Sequence, residues 1–151
     1  MRACTGCGTK AKRFRKAKRE QRYQVGETTY HASVSMRQCP KCGEGYVEGQ
    51  ELKAAELAVA AEVARRGPAA GFSFRFMRKV LGIRGNEMAE LLGVRPETVS
   101  RWEQGRGDVD RSAWTVLSSI VIEEREGRRA LRERLEALRR PARSAKDVRI
   151  E

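Results

Sequence analysis

Cys4-Thr5-Gly6-Cys7-Gly8 and Cys39-Pro40-Lys41-Cys42-Gly43 are near-copies of one design. A Cys-x-x-Cys turn brings two sulfurs to one point, and the glycine after each pair lets the backbone curl with its amides turned toward the thiolates. Two such knuckles supply four thiolates, the closed tetrahedral set of a structural zinc ion. The expectation is one structural Zn²⁺ per chain, held by Cys4, Cys7, Cys39 and Cys42, with no open coordination position for catalysis. The competing chemistry is a pair of redox dithiols. Two matched copies, and no thioredoxin-like βαβ pattern around either, weigh against it. The gap from Cys7 to Cys39 exceeds the usual zinc-ribbon spacing, and a β-ribbon fits that insertion. His31, the sole histidine, lies far from both knuckles and reads as an ordinary strand residue.

A second constellation follows Gly71. Ser73 is placed to N-cap a first helix, Phe74 to Leu81, ending at Gly82. Met88, Leu91 and Leu92 then make an apolar face, Ala89 permits close helix crossing, Gly93 ends the helix in a tight turn and Val94 plugs the corner. Pro96 suits the first turn of the next helix, where its missing N–H has no partner to lose. Val99 and Trp102 fall inward at i, i+3. Glu97, Thr98, Ser100 and Arg101 face outward, and Arg84, Arg95, Gln104 and Arg106 flank them. This is a helix-turn-helix that presents its second helix to a DNA groove. Glu97, four residues before Arg101, is oriented either to hold its guanidinium in place or to accept from cytosine N4.

Between the knuckles, residues 10–22 carry eight basic side chains and one acid. Such a run neutralises phosphates or an acidic partner surface, or is a solvated basic loop; the residues alone weigh these evenly.

Several elements must position these groups. Thr28 to Gln38 alternates Tyr30, Ala32, Val34 and Met36 with polar residues, a strand pattern, and Gly26-Glu27 is the turn of a hairpin whose first arm runs back through Tyr23. A module this small needs a staple. Leu52, Leu57, Ala60 and Val63 recur at helical spacing over residues 49–66, and Gly67-Pro68-Ala69-Ala70-Gly71 reads as a linker or hinge. Trp114, Leu117, Ile120 and Val121 complete a five-helix core. Residues 123–140 read as a charged helix with a sparse stripe of Leu131, Leu135 and Leu138, interrupted by Gly127. Its i, i+4 pairs, Glu124/Arg128, Arg129/Glu133, Arg132/Glu136 and Glu136/Arg140, are each worth about 0.2–0.5 kcal/mol. A dimerisation role for it is favoured over an exposed helix packed on its own domain, because proteins of this kind bind operators as two-fold dimers. Residues 141–151 read as a frayed tail.

The fold class is thus α+β: a small zinc-stapled β-ribbon module (1–48), a connecting helix and hinge (49–71), an all-α five-helix helix-turn-helix domain (72–122) and a charged C-terminal helix and tail (123–151). The 32 Lys and Arg against 20 Asp and Glu give a net charge of +12, with +7 in residues 1–50. That surplus points to a polyanionic partner. The Ala-rich run near Leu57 is broken by Glu62 and too short for a membrane span. No h-region follows Met1, so secretion is not expected and a reducing cytoplasm is the default. No Ser/His/Asp set and no phosphate-binding glycine loop is present, so an enzyme is not expected.

Residues 72–122 resemble the Xre, or phage-repressor-like, DNA-binding family in their alanine, the Gly93-Val94 turn and the Val99-Ser100-Arg101-Trp102-Glu103-Gln104-Gly105 run. That family usually opens the helix before the turn with Ser/Thr-Gln; Arg84-Gly85 stands here, and Arg84 takes the phosphate role by charge. The resemblance also implies a partly buried ion pair between Arg78 and Glu103, pinning the recognition helix to the first helix. A carboxylate near a helix C-terminus needs such compensation.

The order of parts up to about residue 122 resembles the MqsA/YgiT-type antitoxin family. That resemblance implies a homodimer that represses its own operon at a palindromic double-stranded DNA operator and binds a toxin through the zinc module. The alternative is a stand-alone regulator, or an adaptor whose zinc module binds a protein partner with no toxin involved. Arg101 matches a base-reading arginine of that family, whereas Glu97 stands at its asparagine position, so operator sequence does not transfer.

Overall fold

The computed structural model describes residues 3–140 and 149–150. The expected tail at 141–148, with the terminal residue, lies outside the described residues. A long hairpin of β1 (Arg15–Val25) and β2 (Thr28–Gln38) is followed by a two-residue β3 (Gly45–Tyr46), in an antiparallel sheet of order β1-β2-β3. Six helices follow: α1 (Gly49–Arg66), α2 (Gly71–Val80), α3 (Gly85–Leu92), α4 (Pro96–Glu103), α5 (Arg111–Arg125) and α6 (Ala130–Leu138). The protein is α+β, ribbon first and helices after.

The hairpin turns at Gly26-Glu27, where Val25 pairs with Thr28. Gly26 has φ 60° and Glu27 has no positive φ, the pattern of a two-residue type II′ turn. The positive φ is what favours glycine there; a Cβ would also lie 2.3 Å from the ring of the exposed Phe72, which would have to turn aside. The basic segment is not a solvated loop beyond Arg13. It pairs residue for residue with β2, from Arg15 opposite Gln38 to Val25 opposite Thr28. Alternate residues Ala17, Gln21, Tyr23 and Val25 are the ones withdrawn from solvent, and every Lys and Arg in the strand is exposed. The period of two is present but masked by long cationic side chains.

The distal half of the hairpin joins the main core. Val25, Tyr23, Tyr30 and Ala32 pack in one cluster with Val59, Ala60 and Val63 of α1, Phe74 and Met77 of α2, Met88 of α3, Val99 and Trp102 of α4, and Leu117 and Val121 of α5. Phe74 and Met77 are wholly buried, and each such side chain contributes about 1.5–3 kcal/mol of transfer free energy. The cysteine-bearing end has a separate, much smaller cluster of Cys4, Phe14 and Cys39, fringed by Cys7 and Tyr46.

Four expectations are corrected by the packing. Ser73 is not an N-cap: α2 begins two residues earlier with Ala70 at the cap, and Ser73 is wholly buried inside the helix with its Oγ unpartnered. Residues 67–71 are a packed corner, because a Cβ at Gly71 would sit 1.8 Å from the Trp102 carbonyl oxygen. The start of α2 is thereby pressed against the end of α4. The charged segment is not one helix: α5 runs to Arg125, Gly127 takes φ 74°, and α6 starts at Ala130. Four helices lie between Gly71 and Arg125, and α6 adds a fifth by packing on α3 and α5. The break changes which charges meet. Among the described residues only Arg132–Glu136 of the expected i, i+4 pairs forms, at 3.1 Å, while Glu124 pairs with Arg129 and Glu126 with Arg128.

Candidate functional site

Two groups of residues stand out, at opposite ends of the chain's chemistry. At the first, each Cys-x-x-Cys turn closes on itself. Gly8 N–H donates to the Cys4 carbonyl at 2.9 Å and Gly43 N–H to the Cys39 carbonyl at 3.0 Å, with both glycines at positive φ. Cys4 N–H donates to Thr9 O, and Cys39 N–H to Glu44 O, each at 2.8 Å. These rungs face the knuckles toward each other from the two arms at the open end of the hairpin, where Arg15 pairs with Gln38. All four Sγ atoms lie within 4.8 Å of one another, with Cys4–Cys42 and Cys7–Cys39 at 3.5 Å. A tetrahedral ion with bonds of about 2.3 Å would set its sulfurs about 3.8 Å apart, so the four thiols fit a metal ion. All four are free of disulfides.

Thiols this close do not ionise independently. Burial pushes the Cys39 thiol up, but the backbone N–H groups of Cys42 and Lys41 and the neighbouring sulfurs of Cys7 and Cys42 outweigh it and bring it down to about 6. Cys42 receives the Glu44 backbone N–H, which favours its thiolate. The surrounding Cys4 and Cys7 sulfurs, burial and Cys39 nevertheless push it up to about 12. The hydrogen bond from Tyr46 is the largest influence holding Cys4 below the ordinary thiol range. A metal cation held by Cys4, Cys7, Cys39 and Cys42 would resolve the conflict by compensating all four thiolates together.

Tyr46 was missed by reading the sequence. Its hydroxyl donates to Cys4 Sγ at 3.2 Å and accepts from Thr5 N–H at 2.9 Å, while its ring stacks on Phe14 with centroids 5.2 Å apart. Thr9 Oγ1 lies 3.1 Å from Cys7 Sγ. The available signal was an aromatic residue four places after Cys42, on a strand too short for periodicity to reveal. His31 takes no part: it is exposed and bonded across the strands to Glu20 at 2.9 Å.

The second group lies on α3 and α4. Gly93, Val94 and Arg95 join the two helices in a tight turn. Val99 and Trp102 are buried, Trp102 meeting Phe74 edge to face at 5.8 Å. Glu97, Ser100 and Arg101 are exposed on the other face, Thr98 is half-buried, and Arg84, Arg95, Gln104 and Arg106 are exposed around them. Gln104 donates to Ser100 Oγ at 3.0 Å. The expected Glu97–Arg101 ion pair is absent among the described residues, leaving the Arg101 guanidinium without a carboxylate partner. Arg84 is the N-cap of α3. Its side chain has no acceptor for capping, but its N–H donates to the Glu87 carboxylate at 3.4 Å.

Beneath this face, Arg78 holds α4 in place. Its Nε donates to Glu103 Oε1 at 2.5 Å, its Nη2 to Oε2 at 2.8 Å and its Nη1 to the Ile83 carbonyl at 2.7 Å. Both side chains are 11% exposed. The fork is bidentate, and the carbonyl takes a third donor, so the buried charge is both paired and hydrogen-bonded.

The model of the family described as the antitoxin component of bacterial toxin-antitoxin system, MqsA, matches residues 1–125. No curated protein matches the chain.

Proposed function

The chain belongs to the MqsA antitoxin family, and from that premise we propose that it is a sequence-specific, double-stranded DNA-binding repressor of its own toxin–antitoxin operon. In this reading α3 and α4 are a helix-turn-helix. Arg101, Glu97, Thr98 and Ser100 meet base edges in the major groove, and Arg84, Arg95, Gln104 and Arg106 meet the flanking backbone. The single observation that carries it is the two-sided character of α4. Its apolar face and Glu103 are locked into the core, while Arg101 is exposed with no competing carboxylate. A guanidinium so placed is the side chain that reads guanine by a bidentate contact.

Cys4, Cys7, Cys39 and Cys42 hold one zinc ion in this reading. Four thiolates are a closed structural set, so the metal supplies folding energy and no reaction, and the protein is not an enzyme. It works in the cytoplasm as a homodimer on a palindromic operator, and the metal-bearing ribbon takes the toxin. Among the described residues no helix is long and apolar enough to cross a membrane. One observation favours the alternative of a stand-alone regulator or adaptor. Every Lys and Arg from Lys10 to Lys41 is exposed, and among the described residues none makes an ion pair, which suits any acidic partner surface.

The test is titration of the full chain against duplex DNA from upstream of its own gene and against a scrambled duplex. Preference for the upstream sequence of about a thousandfold or more is expected. Equal affinity for both sequences would remove the repressor reading.

A further inference from the structure

Residues beyond Arg125 lie outside the family match, yet α6 is built onto the unit proposed to bind DNA. Leu135 of α6 packs into an apolar groove with Leu91, Leu92, Val94 and Val116. Around it, Arg132 lies 3.8 Å from Glu87 while holding Glu136 at 3.1 Å, and Arg139 pairs with Glu90. Glu87 and Glu90 are the two carboxylates of α3, the helix that leads into the turn.

Their position matters if phosphate approaches the N-terminus of α3 at Arg84. At 1.5 Å per residue, Glu87 lies about 4.5 Å and Glu90 about 9 Å along the axis from Arg84. Both distances are within or near the screening length of about 8–10 Å at physiological salt. Left bare, two carboxylates would offset the cation meant to receive the backbone. We propose that α6 is a charge-neutralising arm, in which Arg132 and Arg139 cancel Glu87 and Glu90 so that the DNA backbone meets a cationic α3. Arg132 and Arg139 are positioning residues in this scheme and touch no base. The inference rests on the DNA-binding reading above.

The experiment uses the full chain, with fluorescence anisotropy on the operator and on an unrelated duplex. R132Q/R139Q should bind both duplexes about three- to tenfold more weakly at about 50 mM salt, with the deficit narrowing by about 200 mM as screening removes the bare carboxylates' effect. Adding E87Q/E90Q to that variant should restore wild-type affinity, because glutamine can still accept the Arg84 N–H and no longer repels phosphate. E87Q/E90Q alone should bind at least as tightly as the wild type. If the quadruple variant stays weak, α6 acts by propping α3 mechanically and the neutralisation is overturned; unchanged binding by R132Q/R139Q overturns it equally. A wild-type chain that binds neither duplex overturns the DNA-binding reading and the arm with it.

Discussion

The two ends of the hairpin are held by different physics. At its tip, Val25, Tyr23 and Tyr30 are absorbed into a core shared with α1 and the helices beyond, where Phe74, Met77, Met88 and Leu117 are wholly buried. At its base, the described residues form one small apolar cluster, Cys4, Phe14 and Cys39 with two partly buried neighbours. Transfer free energy on that scale does not offset the entropy of ordering two knuckles. One end folds by burying surface, and the other needs its four sulfurs tied together. With zinc bound as proposed, the ribbon is a single sheet whose base depends on the metal and whose tip does not, with the boundary falling along the strands.

The largest effect that would break this contrast is loss of the metal. Structural zinc contributes about 10–16 kcal/mol in small modules, so Cys39→Ser or a strong chelator should disorder the knuckles and β3. The hairpin tip and the helices should stay folded. Hydrogen exchange read peptide by peptide checks this: protection near Cys4 and Cys39 should vanish, while that of Val25 and α1 through α5 persists. Loss of protection throughout would show that the helical half depends on the metal too.

The converse experiment attacks the helical end. Arg78→Met or Glu103→Leu alone strands a nearly buried charge and should cost about 3–5 kcal/mol in thermal or denaturant unfolding. The double variant should recover much of that loss, and metal stoichiometry should be unchanged in all three. Single variants that melt with the wild type would return Glu103 to the exposed, DNA-facing side of α4.

A smaller effect sharpens the contrast at the metal end. Tyr46→Phe keeps the Phe14 stack and deletes the hydrogen bond to Cys4 Sγ. Metal affinity should fall about tenfold or more, as for other partners of metal ligands, while the melting of the helices stays put. Competition against a chromophoric chelator measures it, and an unchanged affinity would reduce Tyr46 to a packing residue.

What the sequence made legible follows the same division. Glycine and cysteine spacing carried the knuckles, period-two alternation carried Thr28–Gln38, and helical spacing carried Gly49–Arg66, because in each the pattern is local. The long run of β1 was hidden since Lys16, Lys18 and Arg22 fill its solvent face while Arg19 interrupts its inward one. The start of α2 was misread at Ser73 because the deciding contact, Gly71 against the Trp102 carbonyl, spans some thirty residues of chain. Gly127 was recognisable as an interruption. That it redirects α6 onto Glu87 and Glu90 depends on the groove beside Leu91, which no local pattern reports. Arg78 and Glu103 were paired by family resemblance, and no spacing rule alone links them.

If α4 reads DNA through Arg101, the affinity of the Arg101→Ala chain across single-base variants of its operator will show it. The expected loss is about 1–3 kcal/mol on the operator, with discrimination relaxed at one base pair in each half-site and non-specific binding nearly unchanged. In the same assay Arg84→Ala should weaken all duplexes alike and lower the salt dependence by about one phosphate contact. Equal weakening on every sequence by Arg101→Ala would rule out base reading and make Arg101 a backbone contact.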